Sequence, residues 1–295
     1  MKNRFQKTIS TFLPALFLVL SMMISSASIG QTDSPVPIKT GYAPVNGLKM
    51  YYEVYGSGRP LLLLHGAFMT IHSNWDAMIP ALSKTHKVIA VEMQAHGRTP
   101  DIDRPFSFES MADDAAALLT YMNADSADVI GYSMGGGVAQ QLAIRHPEKV
   151  RKVVLLSCVY KFEGWYPEGQ AAFHTMKAEM FDGSPLQTEY NRVASDPNQW
   201  LPFVNKMLYW ISKPYDFGAD NFKAIQAPRL IIIGDSDGVQ PEHAVEMFRL
   251  AGGGMFGDFG TMPASQLAIA PATTHVGIMF QTEWLLKIIE PFLKM

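Results

Sequence analysis

A serine stands between two glycines in the segment Gly131-Tyr132-Ser133-Met134-Gly135, a spacing that could serve a nucleophile. The apolar run 127–130 before it predicts a short buried strand, and 136–144 after it predicts a helix. Where a chain turns sharply from strand to helix, the serine takes a strained backbone conformation that only small neighbours tolerate. The flanking segments therefore favour Ser133 as a nucleophile over an ordinary glycine turn.

A serine hydroxyl is a poor nucleophile at neutral pH, so it needs a base and an acid that orients this base. In a parallel sheet, catalytic groups collect at the carboxyl ends of the strands. His275 follows the last predicted strand, 266–270, and is the histidine that fits such a position. Asp235 and Asp237 both follow the predicted strand 229–233. Either aspartate could orient the base, although aspartate beside glycine is also common in turns.

Attack of Ser133 on a carbonyl would create a negatively charged oxygen, which needs preorganised hydrogen-bond donors. The segment His65-Gly66-Ala67 ends the apolar predicted strand 61–64, where backbone N–H groups can point at the space above Ser133. The N–H of Met134 lies at the positive start of the predicted helix. We therefore expect the amides of Ala67 and Met134 to form an oxyanion hole.

The elements that must position these residues alternate along the chain. The predicted strand 48–55 is followed by the glycine-rich segment 56–58, which predicts a hairpin into the strand 61–64. Strand and helix patterns then alternate from 88–91 to 153–156. Such repetition predicts a parallel sheet that is covered by helices on both faces.

The alternation stops near residue 160 and resumes near residue 228. We therefore divide the chain into a signal segment 1–30, a core of residues 31–160 and 228–295, and an inserted helical cap, 161–227. The cap is rich in large apolar side chains, most of which should pack against each other or against the core. Three large apolar side chains are predicted to line a substrate pocket: Phe68, Trp165 and Trp210.

The first 30 residues follow a different compositional rule. Basic residues within 2–7 precede the apolar run 12–24, and small residues dominate 25–30. This order is typical of a secretory signal, and the apolar run is shorter than the about 20 residues that span a membrane comfortably. The sequence predicts export, periplasmic or secreted, without stable membrane insertion after cleavage. An uncleaved N-terminal anchor is the alternative.

Composition narrows the function further. The formal net charge of -3 gives no electrostatic reason to expect a nucleic-acid partner. The only cysteine, Cys158, cannot form an internal disulfide and ends an apolar run, which is typical of a small buried side chain. The expected partner is a small-molecule substrate, and the oligomeric state is left open.

Cofactor and metal sites are not predicted. Gly252-x-Gly254-x-x-Gly257 matches a dinucleotide-binding spacing, but it follows a predicted helix rather than a strand, and no acidic residue stands about 20 residues later to hold a ribose. Histidines, cysteines and carboxylates do not occur at the spacing of metal ligands.

From about residue 45 to the C-terminus, the chain resembles the α/β-hydrolase superfamily. The resemblance is carried by five segments: 64–66, 94–99, 131–136, 234–237 and 274–275. It implies an eight-stranded, mostly parallel sheet flanked by helices, with a helical cap after strand six. One departure is Thr274, where the family more often has glycine.

The resemblance also implies roles for individual residues. The family acid generally stands three residues after a glycine such as Gly234, which favours Asp237 over Asp235. Ser157 and Cys158 occupy the position of a variant acid after the preceding strand and exclude it. A serine at position 133 argues against haloalkane dehalogenases and epoxide hydrolases, which use aspartate there.

We therefore predict an exported serine hydrolase that cleaves esters of small to medium apolar substrates through an acyl-enzyme intermediate. Ser133 attacks, His275 acts as base and then as acid, and Asp237 orients His275. Hydrolysis of a carbon–carbon bond in a dienone-type ring-cleavage product, of a lactone, or perhydrolysis, would use the same residues. A non-catalytic binding protein on this fold is the alternative from a different class.

Overall fold

The computed structural model describes residues 36–295, so the predicted signal segment 1–30 lies outside the described residues. Eight strands form one sheet in the order β1-β2-β4-β3-β5-β6-β7-β8. Neighbours from β4 through β3 to β8 run parallel, and β2 pairs antiparallel with both β1 and β4. The strands are β1 (Lys39–Val45), β2 (Leu48–Tyr55), β3 (Arg59–Leu64), β4 (His86–Val91), β5 (Ala127–Tyr132), β6 (Val150–Leu156), β7 (Arg229–Ser236) and β8 (Gln266–Thr274). The predicted mostly parallel sheet is confirmed.

Helices cover both faces of this sheet and form the segment between β6 and β7. None of the helices in residues 36–295 has the length and apolar character that crossing a membrane requires. The helices are α1 (Ile71–Trp75), α2 (Ile79–Leu82), α3 (Phe108–Tyr121), α4 (Met134–Arg145), α5 (Pro167–Thr175), α6 (Pro185–Val193), α7 (Trp200–Ile211), α8 (Ala219–Ala224), α9 (Pro241–Leu250) and α10 (Thr282–Lys294).

The apolar run of β3 illustrates why the central strands are buried on both faces. Leu62 and Leu64 belong to one core cluster, with α3, α4 and α9, whereas Leu61 and Leu63 belong to a second cluster, with α1, α2 and α10. Successive side chains of a strand point to opposite faces, so a strand between two helical layers must be apolar throughout.

The predicted hairpin between β2 and β3 is wrong, because β4 lies between these strands. Gly56 and Gly58 have positive φ and pack against the backbone of the segment 83–86, which leads into β4. A Cβ on Gly56 would lie 2.0 Å from the carbonyl oxygen of Ser83. The tight hairpin joins β1 to β2 instead, at Asn46-Gly47, where both residues have positive φ. Asn-Gly is a favoured pair for a two-residue hairpin turn.

The two ends of the cap leave the core side by side. Lys161 and Asp216 form an isolated antiparallel bridge. Next to it, the Phe162 N–H donates to the carbonyl oxygen of Tyr215 at 2.8 Å, and the Phe217 N–H donates to that of Tyr160 at 2.9 Å. Helices α5 to α7 lie between these ends, and the buried apolar side chains of α7 join the core cluster of the first sheet face.

Glycines allow β5 and α4 to pack tightly against β3. A Cβ on Gly131 would lie 2.2 Å from the carbonyl oxygen of Gly135, and a Cβ on Gly135 would lie 2.1 Å from that of Leu64. Real side chains do not approach so closely, so any larger residue would push the helix away from the sheet. The two glycines of the motif therefore set the position of the turn that carries Ser133.

We expect Gly135→Ala to lower the free energy of unfolding by about 1–3 kcal/mol, because the added methyl group forces a backbone shift. Gly169→Ala in α5 is the matched control, since a Cβ there meets no atom within 4 Å; it should be neutral or stabilise by up to about 1 kcal/mol. Urea unfolding measures both changes. Equal stability of the two variants would contradict the packing constraint.

Candidate active site

Ser133 lies at the turn from β5 to α4, with φ 52° and ψ -114°. This is a strained region for a residue with a side chain, and the surrounding packing must hold it there. The Ser133 N–H donates to the carbonyl oxygen of Leu156 at 2.9 Å, which ties the turn to the end of β6. The hydroxyl is thereby presented at the carboxyl edge of the sheet, half-buried.

His275, in the loop after β8, connects the serine to an aspartate. Its Nε2 lies 3.1 Å from Oγ of Ser133, and its Nδ1 lies 2.8 Å from Oδ1 of Asp237. In the neutral ring, Nδ1–H donates to the carboxylate, so that Nε2 is free to accept the serine proton. Tyr132 stacks on the imidazole at 5.4 Å and donates its hydroxyl to the backbone oxygen of His275 at 3.0 Å.

The structure brings Asp237, and not Asp235, to the histidine. Asp235 is exposed and accepts the N–H groups of Ala272 and Thr273 at 2.9 and 3.1 Å. It therefore fixes the chain that leads to His275 rather than the imidazole ring itself.

Asp237 is buried and has four hydrogen-bond donors. They are Nδ1 of His275, the Ser157 hydroxyl at 2.5 Å, and the N–H groups of Val239 and Gly234 at 3.1 and 3.3 Å. Burial alone would raise the pKa of this carboxyl, but the charge of His275 and the hydrogen bonds hold the pKa below its usual value. Asp237 is therefore ionised at neutral pH and can stabilise a protonated His275.

Two backbone amides are placed as the oxyanion prediction requires. Met134 is the first residue of α4, and Ala67 follows the carboxyl end of β3. Within residues 36–295, neither N–H has a hydrogen-bond acceptor. The preceding amide, of Gly66, is occupied: it donates to Oδ1 of the buried Asn74 at 2.8 Å. Asn74 thus holds the segment after β3 in place, while the amide of Ala67 stays available as a donor.

Ser157 and Asn74 are the residues that sequence reasoning missed. Ser157 is fully buried after β6, has φ 49°, and donates to the acid. Its position at the carboxyl end of a central strand was a usable signal, because such ends face the site. Asn74 lies on the short helix α1 and carries no comparable signal.

The three predicted pocket residues have different surroundings. Trp165 meets His275 edge-on, with ring centroids 5.4 Å apart. Phe68 directly follows Ala67, has φ 64°, and lies 4.9 Å from Phe181 and 5.9 Å from Phe203 of the cap.

Trp210 instead packs against Phe108 at 4.6 Å and against Phe106 at 6.0 Å. Among the aromatic contacts of the described chain, none joins it to His275 or Phe68. The structure thus brings Trp165 to the base and Phe68 to the oxyanion loop, but it does not bring Trp210 to either.

Other reactive groups nearby are passive. Cys158 is buried, and burial raises the pKa of its thiol, so it stays protonated. Within the described range, no three His, Cys, Asp or Glu side chains converge on a position that could hold a metal ion.

A serine, a histidine and a buried carboxylate lie in hydrogen-bond contact, beside two amides without an acceptor in residues 36–295, at the edge of a mostly parallel, doubly covered sheet. This is the arrangement of the α/β-hydrolase class. The family model for the alpha/beta hydrolase fold matches residues 59–251, which is well over half of the chain. The chain belongs to the α/β-hydrolase family.

Two curated relatives differ in how much of them the chain matches. It is 36% identical over 113 residues to 2-hydroxymuconate semialdehyde hydrolase of Pseudomonas sp. (strain CF600), covering 37% of this chain and 40% of the relative. It is 26% identical over 215 residues to (E)-2-((N-methylformamido)methylene)succinate hydrolase of Acinetobacter baylyi, covering 68% of this chain and 80% of the relative. The first match therefore spans less than half of the relative's length.

Solved structures show the same fold over most of the chain. A meta-cleavage product hydrolase from Pseudomonas fluorescens IP01 aligns with a TM-score of 0.66 and 20% identity, covering 88% of this chain and 98% of the other. A thermophilic esterase from Thermogutta terrifontis aligns with a TM-score of 0.67 and 22% identity, with the same coverage.

Removing the Ser157 hydroxyl should impair the acid. A hydrogen bond to a charged group is worth about 1.5–3 kcal/mol, so we expect Ser157→Ala to lower kcat for an activated ester about tenfold or more. KM should change little, because Ser157 contacts Asp237 and not the substrate. The pKa of Asp237 should rise, because its carboxylate loses a donor, so activity at acidic pH should fall by more than activity at neutral pH. Steady-state kinetics across pH measures these effects.

Ser236→Ala is the matched control, because the Ser236 hydroxyl donates to the exposed Asp235 at 3.2 Å. This variant should keep its kcat and pH profile. Equal losses in the two variants, or a Ser157→Ala loss that is explained by unfolding at the assay temperature, would contradict the positioning role.

Proposed function

We propose that this chain is an exported serine hydrolase that cleaves carboxylic esters with a small to medium apolar acyl or alcohol part. The observation that supports it most directly is the continuous contact from Ser133 through His275 to Asp237, with distances of 3.1 and 2.8 Å. Such a chain of contacts has the geometry that activates a serine hydroxyl.

In the proposed reaction, Oγ of Ser133 attacks the carbonyl carbon while Nε2 of His275 takes its proton. Asp237 stabilises the imidazolium that forms, and the amides of Ala67 and Met134 receive the oxyanion. The intermediate collapses as His275 gives the proton to the leaving alcohol, which leaves an acyl group on Ser133. Water, deprotonated by His275, then attacks the acyl carbon; as the bond to Ser133 breaks, His275 returns the proton to Oγ and the acid leaves.

The surroundings of the site favour an apolar substrate. Trp165 lies against the base, and Phe68 packs with two phenylalanines of the cap. Three of the six Lys and Arg side chains of the cap are paired with carboxylates: Lys161 with Glu246, Arg192 with Glu189 and Lys206 with Asp101. These side chains are not free to neutralise an anionic substrate, which supports an uncharged ester.

Hydrolysis of a carbon–carbon bond in a dienone-type ring-cleavage product is the second candidate. It is favoured by the 36% identity to a 2-hydroxymuconate semialdehyde hydrolase and by the fold shared with a meta-cleavage product hydrolase. The same three side chains would serve both reactions, so only the substrate distinguishes them.

A fluorophosphonate probe should label the folded protein at Ser133, and Ser133→Ala should abolish labelling and nearly all ester turnover. Asp237→Asn should lower kcat by a factor on the order of 10³–10⁴, because the histidine loses its orienting carboxylate. Asp235→Asn keeps one oxygen acceptor for the segment before His275 and lies away from the imidazole, so it is the control and should retain most activity. Intact-protein mass spectrometry and steady-state kinetics measure these outcomes.

A folded protein that the probe does not label would contradict the nucleophile assignment and favour a non-catalytic binding protein. Retained ester turnover in a pure Ser133→Ala preparation would contradict it as well.

A substrate panel should separate the two candidate reactions. We expect kcat/KM to be highest for p-nitrophenyl esters of short to medium chain length and lower for a dienone ring-cleavage product, a lactone and peracid formation. The opposite order would replace the ester proposal by the corresponding alternative.

The N-terminal residue of the same protein, recovered from outside the cytoplasm, should lie near position 31. An intact Met1 in the membrane fraction would contradict cleavage of the signal segment.

A further inference from the structure

The connection between α9 and β8 is much longer than the fold requires. It runs from 251 to 265, whereas the other helix-to-strand connections at the same edge of the sheet are 83–85, 122–126, 146–149 and 225–228. Connections of this kind usually have about 2–6 residues, and longer ones in compact domains commonly have a function of their own. This segment also contains the glycine spacing that does not bind a dinucleotide.

The long connection exposes large apolar side chains. Met255, Phe256, Phe259 and Met262 are 61%, 69%, 88% and 73% exposed. The two phenylalanine rings lie 5.2 Å apart, Met255 adjoins Phe256 in the chain, and a Cβ on Gly257 would lie 2.6 Å from the sulfur of Met262, so the side chains form one group at the tip. Other exposed apolar residues are scattered over the surface, and single ones need no explanation, but a contiguous group does. We call residues 252–263 the apolar loop.

Backbone hydrogen bonds join the start of the apolar loop to α9, whereas no salt bridge among the described residues involves its tip. The N–H groups of Gly252 and Gly253 donate to carbonyl oxygens of α9 at 3.0 and 2.9 Å. A Cβ on Gly253 would lie 2.1 Å from the ring of Phe248, so this glycine allows the chain to turn tightly off the helix. Asp258 is the one charged side chain of the loop.

The apolar loop lies at the edge of the sheet opposite the triad. At its end, the Ser265 hydroxyl accepts the N–H of Arg229, the first residue of β7. His275 follows the other end of β8, and a strand of this length, Gln266–Thr274, spans about 30 Å. The loop therefore does not line the candidate active site.

We propose that the apolar loop docks on a lipid membrane, with its Met and Phe side chains in the boundary between headgroups and acyl chains. At 61–88% exposure, each of these side chains offers less than about 200 Å², so the four together fall short of the about 800 Å² per partner of a standard protein interface. Five glycines, at 252, 253, 254, 257 and 260, let the side chains adjust to a fluid apolar phase, which needs no fixed register.

The proposed export gives the loop access to such a surface, because the predicted signal 1–30 directs the chain across a membrane into a compartment that a bilayer bounds. The contact would be peripheral and would not span the bilayer. It would hold the catalytic edge away from the lipid. The proposal draws on export but does not depend on the hydrolase activity.

A single fluorophore tests the proposal on the full chain. Cys158 is buried, so Thr261→Cys supplies one accessible thiol for the environment-sensitive dye NBD while leaving all four apolar side chains in place. Phosphatidylcholine vesicles should shift its emission to the blue and increase it several-fold. Adding Phe256→Ser and Phe259→Ser should raise the lipid concentration for half-maximal signal at least about tenfold, since burying one phenylalanine is worth that much.

Tyr209→Cys, at an exposed position on α7 of the cap, is the control for tethering through the N-terminal segment. The control label should not respond, even if residues 1–30 remain attached and insert. Responses of equal size at 209 and 261, no response at 261, or a response that the serine substitutions leave unchanged would each overturn the proposal.

Light scattering without vesicles separates lipid from a second copy of the chain. A doubled mass that the serine substitutions abolish would assign the loop to self-association and overturn the membrane proposal. Hydrolysis of a water-soluble ester should be unchanged in the serine variants. Because the dye reports docking without turnover, a failure of the ester proposal would leave this result independent.

Discussion

The close approach of α4 to β3 is the constraint on which the site depends. Gly131 and Gly135 bring backbone atoms into contact where any side chain would collide, and this contact holds Ser133 at φ 52°. The strain is local, and burial of the surrounding apolar side chains offsets it. A rigid serine in turn defines where the base must arrive, because the hydrogen bond from Ser133 to His275 tolerates little displacement.

The segment 237–239 joins the Ser133–His275–Asp237 contacts to the cap. Residues just after Asp237 form a backbone bridge from Val239 to Trp165, and the Tyr166 N–H donates to the carbonyl oxygen of Gly238 at 2.9 Å. Trp165 also touches His275. The cap is therefore attached to the same short segment that holds Asp237, so Trp165 and the carboxylate behind His275 share one support.

The sequence was sufficient to predict the sheet, the turn at Ser133 and the residues that meet at its edge, because parallel strands are apolar throughout and place their ends together. It failed where long-range packing decides. The glycines 56 and 58 are typical of a hairpin turn, but here they make room for the segment 83–86 that leads into β4. Asn74 holds the amide of Gly66, and it lies on a short helix that no periodicity reveals. The role of Trp210 stays a prediction, because its surroundings depend on how the cap folds.

The paired ends of the cap have an evolutionary consequence. The chain leaves the core at Tyr160 and returns at Phe217, and adjacent hydrogen bonds join these two points. The segment between them can therefore change in length without moving the ends that connect it to the sheet. Insertions, deletions and replacements within 167–214, beyond the contacts of Trp165 and Tyr166 with the segment after Asp237, leave the strand register and the triad undisturbed. One catalytic core can thereby acquire new substrates by exchanging a module, and selection for specificity can proceed separately from selection for chemistry.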